Sequence, residues 1–376
     1  MAAISLRKLG KRFGTVAAVQ DLTLDIRDRE FFVLLGPTGA GKTTTLRCIA
    51  GLERPDAGEI HIAGERVDDW SAAQRDVALV FQQYSLYPNY TVRENLAFPL
   101  KSKLRRFSSQ QIDERVRKAA ATVRIGHLLD RRTDRLSGGE MQRVSIGRAI
   151  VREPRLFLMD EPLSNLDAKL RELLRAELKG LQQRLGTTLI FVTHDQVEAM
   201  SMGDRIGVLD GGQLVQVGTP AQIYNTPANA FVASFVGSPA INLLDVQVDL
   251  AQGRVHGGAL AFGLDAATQE TLAPLLPADG RVRLGIRPEN FSLGEGTDGI
   301  GIDVAVVEEL GADAFVYGTV AGLADEDKLT AQQITARISS RNPPERGSTI
   351  RLKIDPEHVH VFSQADGRRL SESYAR

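Results

Sequence analysis

Short apolar runs alternate with helical periods through residues 31–217 of the chain. The runs end in polar residues, so they predict buried strands; they are residues 31–35, 77–81, 156–159 and 187–192. One helical stripe is formed by Leu170, Leu173, Leu174, Leu178, Leu181 and Leu185. Gly186 follows that stripe and predicts the end of its helix. Strands that alternate with helices indicate a mainly parallel sheet with helices on both faces.

Residues 84–134 have a different character and predict a mostly helical insert within the first domain. The segment is rich in Arg and Lys, and Ser108 or Ser109 precedes a helical period as a possible N-cap. Apolar positions at helical spacing are Ile112, Val116, Ala119, Ala120 and Val123. The basic residues could contact nucleic acid, but interspersed acids favour a solvated helix face.

The pattern changes again near residue 237, where helical periods give way to short alternating strands. Examples are residues 281–286, 302–307, 314–320 and 349–354. Turn residues separate them, which predicts a small all-β barrel or sandwich. The sequence therefore predicts an α/β domain over residues 1–236 and a β-rich domain over residues 237–376.

Composition narrows the class of protein. The 376 residues carry a net charge of −1, and the β-rich segment has no basic stripe with interleaved aromatics, so we expect no nucleic-acid partner. The only cysteine, Cys48, excludes an internal disulfide and suits a reducing cytoplasm. Residues 1–14 lack the apolar run of a secretory signal. No run approaches the about 18 apolar residues that cross a membrane, so any transport path would need other chains.

A glycine-rich segment follows the first buried strand and matches G-x-x-x-x-G-K-[ST]. Its residues are Gly36, Pro37, Thr38, Gly39, Ala40, Gly41, Lys42, Thr43 and Thr44. Backbone N–H groups of such a loop point into one concavity at a helix N-terminus, which binds phosphate. Lys42 would reach the β- and γ-phosphates of a nucleotide, and the Thr43 hydroxyl would ligate Mg²⁺. The alternative is a glycine-rich turn with an incidental lysine.

Hydrolysis needs a further metal contact, a group that activates water and a sensor of the γ-phosphate. Asp160 ends an apolar strand and would hold Mg²⁺, while Glu161 would polarise the attacking water. Gln82 ends another strand and could bridge metal and water, and His194 could bind a γ-phosphate oxygen. Taken alone, a glutamine or histidine in such a position more often has a structural role. Their positions at strand ends, where an α/β sheet gathers its ligands, favour the catalytic interpretation.

Two adjacent glycines lie at the start of the predicted helix that follows residue 136. Ser137 and Glu140 fit the capping box S-x-x-E. Gly138 and Gly139 also leave bare N–H groups that suit an anion. The turn can act as a capping box and bind an anion at the same time. Because the chain already has a phosphate-binding loop, a second anion site implies a second surface that bears phosphate.

Together these motifs resemble the ATP-binding-cassette (ABC) family over roughly residues 4–235. The matches are Gly36 to Thr44 (Walker A), Gln82 (Q-loop), Leu136 to Glu140 (signature), Leu156 to Glu161 (Walker B), Ser164 to Asp167 (D-loop) and His194 (switch histidine). The resemblance implies a homodimer in which each ATP lies between Walker A of one subunit and Ser137, Gly138 and Gly139 of the other. The loop of Ser164 and Asp167 would cross that interface, and Phe13 would stack on adenine. The signature departs from the family at Glu140, where Gln is commoner.

The β-rich segment resembles the ATPase subunits of maltose-type and glycerol-phosphate-type importers. The matching segments are residues 218–224, 231–239 and 285–289. The resemblance implies an OB-like (TOBE/MOP-like) domain that steadies the dimer and can receive a regulatory protein or metabolite. It also implies two membrane-spanning permease subunits, a solute-binding protein, a sugar or sugar-like solute, and a peripheral position at the cytoplasmic face of the cell membrane. Importers of polyamines or oxyanions, and soluble cassette ATPases of DNA repair or translation, are the alternatives.

Overall fold

The structure is a computed structural model that describes residues 3–101, 107–257, 260–264, 266–294, 299–323 and 333–370. The chain divides into two compact units, Met1–Ala221 and Gln222–Arg376. This division lies before the domain boundary that the sequence predicts between residues 236 and 237. Within the described residues, no helix is both long enough and apolar enough to cross a membrane.

The first unit is an α/β domain. Its strands are β1 Ile4–Phe13, β2 Val16–Ile26, β3 Phe31–Leu35, β4 Ala57–Ile62, β5 Glu65–Arg66, β6 Val77–Val80, β7 Leu156–Asp160, β8 Thr188–Thr193, β9 Arg205–Asp210 and β10 Gln213–Gly218. Its helices are α1 Lys42–Ala50, α2 Val92–Ala97, α3 Ser109–Thr122, α4 Gly138–Ile150, α5 Ala168–Leu185 and α6 Gln196–Met202, and α7 Pro220–Asn225 crosses the division between the units. The predicted helix end at Gly186 is confirmed, because this residue caps α5 with φ 58°.

Two sheets build this unit. An antiparallel sheet has the order β2-β1-β4-β5, and a larger sheet has the order β10-β9-β3-β8-β7-β6. In the larger sheet β3 runs parallel to both β8 and β9, and β7 runs parallel to both β8 and β6. All residues of β3 and β8 are buried, as expected for parallel strands whose two faces are covered.

The core of the first unit joins side chains from both sheets and from α1. Leu6 and Ile60 of the antiparallel sheet belong to the same buried cluster as Leu34 and Ile190 of the parallel sheet. Leu46 of α1 packs into this cluster as well. The helix that follows the glycine-rich loop is therefore anchored in the core, which fixes the loop at its C-terminal end.

The described part of the helical segment contains α2 and α3, with short 3-10 helices over Phe98–Leu100, Gly126–Leu128 and Thr133–Arg135. Of the two candidate caps, Ser108 caps α3: its hydroxyl accepts from the Gln111 N–H at 3.2 Å, and Gln111 Oε1 accepts from the Ser108 N–H at 2.9 Å. Val116, Ala119 and Ala120 are buried, as their helical spacing predicts. Residues 102–106 of this segment lie outside the described residues.

The second unit is built mainly from strands. They are β11 Asn242–Asp249, β12 Arg254–Gly257, β13 Leu260–Gly263, β14 Arg281–Ile286, β15 Phe291–Leu293, β16 Ile300–Leu310, β17 Asp313–Val320, β18 Ile334–Ser339, β19 Thr349–Ile354, β20 His360–Ser363 and β21 Arg369–Leu370. They form the sheets β13-β12-β11-β14-β20-β21 and β15-β19-β16-β17-β18, which share one core. Helices α8 Ala230–Phe235 and α9 Ala266–Leu272 accompany them. The predicted all-β character is confirmed, although the sequence missed the seven-residue α9.

Helix α8 packs on the β-rich unit. Ala230 and Ala233 share a small apolar cluster with Ile241 and Phe362. Arg287, only 2% exposed, donates to the Val236 carbonyl at 2.8 Å and to the Tyr224 carbonyl at 2.7 Å. These contacts hold the segment before residue 237 against β14 and explain why the units divide where they do.

Because the side chain of His360 is buried, we expect the β-rich unit to lose folding stability in acid. Burial, with the charges of Arg369 and Arg287, lowers the pKa of His360 to about 4, whereas an unfolded histidine titrates near about 6.5. The unfolded chain therefore binds the proton first, so stability is lost as pH falls below about 6.5 and the loss continues to about pH 4. We expect the unfolding free energy to drop by about 2 kcal/mol between pH 7 and 5 from this group.

Denaturant unfolding of the full chain, followed by circular dichroism at several pH values, measures this loss. His360→Asn should reduce the slope against pH, while His256→Asn, a control at an exposed position of β12, should keep it. Equal slopes for His360→Asn and the wild type would show that His360 does not titrate as expected.

Candidate functional site

The glycine-rich loop joins β3 to α1 in a conformation that requires glycine. Gly39 and Gly41 have φ values of 83° and 93°, in the left-handed region. A Cβ on Gly41 would lie 2.3 Å from the Ala18 carbonyl oxygen, and one on Gly36 would lie 2.3 Å from the Leu209 carbonyl oxygen. The loop therefore passes against neighbouring backbone, and α1 begins directly after it, so the positive end of the helix dipole adjoins the loop.

Lys42 is the first residue of α1, and its side chain is only 5% exposed. Its Nζ donates to the carbonyls of Gly36 at 2.8 Å and Pro37 at 2.9 Å, which wraps the loop around the ammonium. The Oε1 atom of Glu161 lies 3.9 Å away, a long ion pair. Burial lowers the pKa of Lys42, and Glu161 opposes that shift. A buried ammonium with a distant carboxylate suits an anionic phosphate.

Thr43 and Asp160 bring two oxygen atoms together at the edge of the sheet. The Thr43 hydroxyl donates to Asp160 Oδ1 at 2.9 Å. Burial raises the pKa of Asp160, and the bond from Thr43 opposes this. Hydroxyl and carboxylate oxygens are ligands that Mg²⁺ accepts, with substrate phosphates and water completing its shell. Among the described residues, no group of three or more His, Cys, Asp and Glu side chains is placed to hold a metal ion by itself.

Glu161 is the centre of a cluster at the ends of neighbouring parallel strands. His194 Nδ1 lies 2.9 Å from Glu161 Oε2, and Gln82 Nε2 lies 3.5 Å from the same oxygen. Gln82 Nε2 also lies 3.4 Å from the Ser164 hydroxyl. Because β6, β7 and β8 are adjacent and parallel, their carboxyl ends meet at one edge of the sheet. The structure thus places Gln82, Glu161 and His194 in contact, as the sequence predicts.

The backbone of Glu161 is unusual for a residue with a side chain. Its φ is 43°, in the left-handed region, and its N–H donates to the Val192 carbonyl at 3.0 Å. This bond ties the turn after β7 to β8, the strand that leads to His194. Strained backbone of this kind is found at functional sites, where surrounding structure holds it in place.

The D-loop residues contact the same cluster. The Ser164 hydroxyl donates to the Glu161 carbonyl at 2.9 Å, and Asn165 Nδ2 donates to the Gln82 carbonyl at 3.1 Å. Asp167 caps α5 by accepting from the Leu170 N–H at 3.0 Å. The link from Asn165 to Gln82 crosses between two loops, and no local sequence signal could have revealed it.

Ser137 to Glu140 begin α4 as a capping box. Glu140 Oε2 accepts from the Ser137 N–H at 2.8 Å, and the Ser137 hydroxyl accepts from the Glu140 N–H at 3.4 Å. A Cβ on Gly139 would lie 2.3 Å from Leu170 Cδ2, so α5 packs closely against this turn. The capping interpretation is confirmed, and the anion-binding interpretation of Gly138 and Gly139 stays a prediction.

Phe13 ends β1 with 48% of its surface exposed, so it is not a core residue. Lys11 Nζ lies 5.2 Å from the centroid of its ring. Among the described residues, no hydrogen bond or ion pair joins Phe13, or the turn over 137–140, to the cluster around Lys42 and Glu161. The structure therefore assembles most of the predicted residues into one site and leaves these two groups outside it.

Three family profiles match the chain. The ABC transporter profile matches residues 19–164, the MalK OB fold domain residues 237–291, and the TOBE domain residues 284–362. The chain is 46% identical over 377 residues to the sulfoquinovosyl glycerol transport ATP-binding protein SmoE of Agrobacterium fabrum, with 98% of this chain and 100% of that protein covered. It is 44% identical to the sn-glycerol-3-phosphate import ATP-binding protein UgpC of Cupriavidus pinatubonensis, with coverage of 98% and 100%. The chain is an ATPase subunit of the ABC importer family.

Further similarities agree with this assignment. The trehalose/maltose import ATP-binding protein MalK of Thermococcus litoralis is 44% identical to this ABC ATPase, with 98% of this chain and 100% of that protein covered. The dimeric post-hydrolysis structure of the ATP-binding cassette MJ0796 bound to ADP and Pi is 31% identical, with a TM-score of 0.52 over 58% of this chain and 98% of that one. The expected P-loop fold with a C-terminal OB-like domain is therefore confirmed.

The capping box formed by Ser137 and Glu140 predicts how substitutions of Glu140 change the stability of the chain. Glu140→Ala removes the acceptor of the Ser137 N–H and should lower the unfolding free energy by about 1 kcal/mol. Glu140→Gln keeps an acceptor oxygen and should lose less. Thermal unfolding of the full chain measures both, with Glu172→Ala at an exposed position of α5 as the control. Equal unfolding temperatures for Glu140→Ala and this control would contradict the expected role of the box.

Proposed function

We propose that this ABC ATPase drives the uptake of a sugar or sugar-like solute through separate membrane subunits. Relatives at 43–46% identity carry names that specify sulfoquinovosyl glycerol, sn-glycerol-3-phosphate, trehalose/maltose and diacetylchitobiose. Each named compound is a sugar, a sugar derivative or a polyol phosphate. This agreement favours the sugar class over polyamines and oxyanions.

The glycine-rich loop and Lys42 bind the phosphates of ATP in this proposal. The N–H groups of the loop surround the phosphate oxygens, and the Lys42 ammonium exchanges its carbonyl contacts for the β- and γ-phosphates. Thr43 and Asp160 would hold Mg²⁺, and Gln82 would supply a further ligand. The bound ion supplies positive charge that offsets the charge developing on the phosphates. Phe13 stacks on the adenine ring, a contact typically worth about 1–3 kcal/mol per base.

In this proposal, hydrolysis depends on Glu161 and His194. The contact between these two side chains is the observation that supports their roles. Glu161 accepts the proton of the attacking water. His194 uses Nδ1 to orient the Glu161 carboxylate and presents Nε2 to a γ-phosphate oxygen. General-base catalysis by a positioned carboxylate typically contributes about 10²- to 10⁴-fold to the rate.

The site is completed by a second copy of the chain. We infer a homodimer in which Ser137, Gly138 and Gly139 bind the γ-phosphate held by the other subunit, with Ser164 and Asp167 at the interface. The support is the bare N–H groups at the start of α4 and the similarity to a cassette solved as a dimer, which is 30% identical with a TM-score of 0.53. A lone subunit would then bind ATP and hydrolyse it slowly.

A groove in the first unit offers a surface for the permease subunits. Its volume is about 440 Å³, and Tyr87 and Phe98 line it with ring centroids 4.4 Å apart. Tyr87, Tyr90 and Phe98 are 37%, 40% and 45% exposed, an aromatic cluster that suits the apolar face of a helix. One permease subunit docked in this groove of each copy of the dimer would hold the ATPase at the cytoplasmic face of the membrane. A solute-binding protein would act indirectly, and the β-rich unit would receive a regulatory protein or metabolite.

Glu161→Gln tests the catalytic proposal. The amide keeps the size of the side chain but cannot accept a proton, so kcat should fall by at least about 100-fold while ATP binding persists. We expect this variant to dimerise with ATP, as measured by size-exclusion chromatography and nucleotide binding. Glu172→Gln in α5 is the control and should hydrolyse ATP like the wild type. Near-normal turnover by Glu161→Gln would remove Glu161 as the base.

Phe98→Ala tests the docking surface. Removing one exposed ring from the aromatic cluster should weaken copurification of coexpressed permease subunits by about 10-fold or more, because truncating an interface anchor typically costs about 2 kcal/mol or more. The basal ATPase activity of the free chain should stay unchanged. Val197→Ala, an exposed apolar residue of α6, is the control. Equal recovery of the permease with Phe98→Ala and Val197→Ala would argue against the groove.

A further inference from the structure

Arg171 lies in α5, just after the D-loop, and contacts residues of two other segments. Its Nη2 donates to the Leu166 carbonyl at 3.1 Å, and its Nη1 donates to Asp195 Oδ2 at 3.2 Å. Its Nε lies 3.9 Å from Glu198 Oε1. Leu166 belongs to the loop of Ser164 and Asp167, whereas Asp195 directly follows His194. One guanidinium therefore joins the D-loop to the segment that carries the switch histidine.

The segment around His194 is fixed on both sides. The Asp195 N–H donates to the Thr193 hydroxyl at 2.9 Å, and that hydroxyl donates to Glu198 Oε2 at 2.6 Å. Asp195 Oδ1 also caps α6 by accepting from the Val197 N–H at 2.7 Å. His194 stands between Thr193 and Asp195, so its backbone position depends on this small network.

The carboxyl groups of Asp195 and Glu198 lie close together, so the network around His194 needs a positive charge. Glu198 is 3% exposed, and burial raises the pKa of its carboxyl, with Asp195 adding to the effect and Arg171 opposing it. Two neighbouring carboxylates in a partly buried place repel each other unless a positive charge lies between them. Arg171 supplies that charge and at the same time directs its donors to the D-loop.

The D-loop side of Arg171 leads back to the catalytic cluster. The Ser164 hydroxyl donates to the Glu161 carbonyl, and Asn165 donates to the Gln82 carbonyl. Contacts thus form a closed circuit from Glu161 through the D-loop, Arg171 and Asp195 to His194. The circuit closes at the 2.9 Å contact between His194 Nδ1 and Glu161 Oε2.

We propose that Arg171 is a positioning residue for ATP hydrolysis, which holds the D-loop and the His194 segment in the arrangement that aligns His194 with Glu161. It acts through these residues and does not touch the substrate. The inference rests on the proposed roles of Glu161 and His194. Arginine suits the task because its planar group offers five donors in fixed directions, whereas a lysine offers three donors on one freely rotating ammonium.

The test compares steady-state ATPase kinetics of Arg171→Met and Arg171→Lys in the full chain. Both variants keep the aliphatic stem, and the lysine also keeps the charge. We expect kcat to fall by about 10- to 100-fold in Arg171→Met, because small misplacements of catalytic groups have effects of this size. KM for ATP should change by less than about twofold, because the Lys42 loop is not part of the circuit. Arg171→Lys should recover only part of the lost kcat.

Arg175→Met is the matched control, because Arg175 lies one turn further along α5 and also acts on Glu198 through its charge. It should keep kcat and KM near those of the wild type. Thermal unfolding and far-UV circular dichroism identify folded variants, and Arg171→Lys provides the measurement if Arg171→Met does not fold. Wild-type kcat in a folded Arg171 variant, or an equal loss in Arg175→Met, would overturn the inference.

His194→Ala distinguishes a failure of the Arg171 proposal from a failure of the catalytic role proposed for His194. If His194→Ala abolishes turnover while Arg171→Met and Arg171→Lys keep it, the proposed function stands and the role of Arg171 is wrong. If His194→Ala turns over ATP normally, the proposed catalytic role of His194 fails, and the inference about Arg171 loses its premise. A parallel rise of KM and fall of kcat in Arg171→Met would indicate general damage to the site and would also count against positioning.

Discussion

The parallel pairing of β3, β8, β7 and β6 is the constraint on which the site depends. These strands are covered on both faces, so their interiors accept apolar side chains and exclude unpaired polar ones. Polar groups can follow only where the strands end, and parallel pairing collects those ends at one edge of the sheet. Lys42, Gln82, Glu161 and His194 come from distant parts of the chain and meet there for that reason.

Charge organises the residues that this edge collects. Glu161 lies between the Lys42 ammonium at 3.9 Å and His194 Nδ1 at 2.9 Å, so its carboxylate is shared by a phosphate-binding group and a catalytic partner. Asp160 points instead to Thr43, at 2.9 Å. The adjacent carboxylates of Asp160, which ends β7, and Glu161, which follows it, therefore serve different neighbours, because the left-handed φ of Glu161 turns the chain there. This separation allows one acid to hold a metal while the other accepts a proton.

The elements that the sequence predicts well are those whose cause is local. The leucine stripe of α5 and its end at Gly186 follow from helical spacing and a left-handed cap, and the apolar runs before Asp160 and His194 follow from burial of parallel strands. Helix α9 was missed because it is short and carries few apolar positions. The packing of α8 on Ile241 and Phe362 could not be predicted either, since it depends on residues that are far apart in sequence.

Arg171 shows the limit of such prediction most clearly. It lies on the polar side of α5 beside Glu172 and Arg175, where a charged residue is most simply interpreted as a solvated one. Only the fold brings the Leu166 carbonyl and the Asp195 carboxylate to its two Nη atoms. An arrangement of this kind is a weak source of stability, because removing Glu198 and its partners from water is costly even when they are paired. A charged network of little net benefit to folding, placed between the D-loop and the switch histidine, is better explained by the geometry that it imposes on Glu161 and His194.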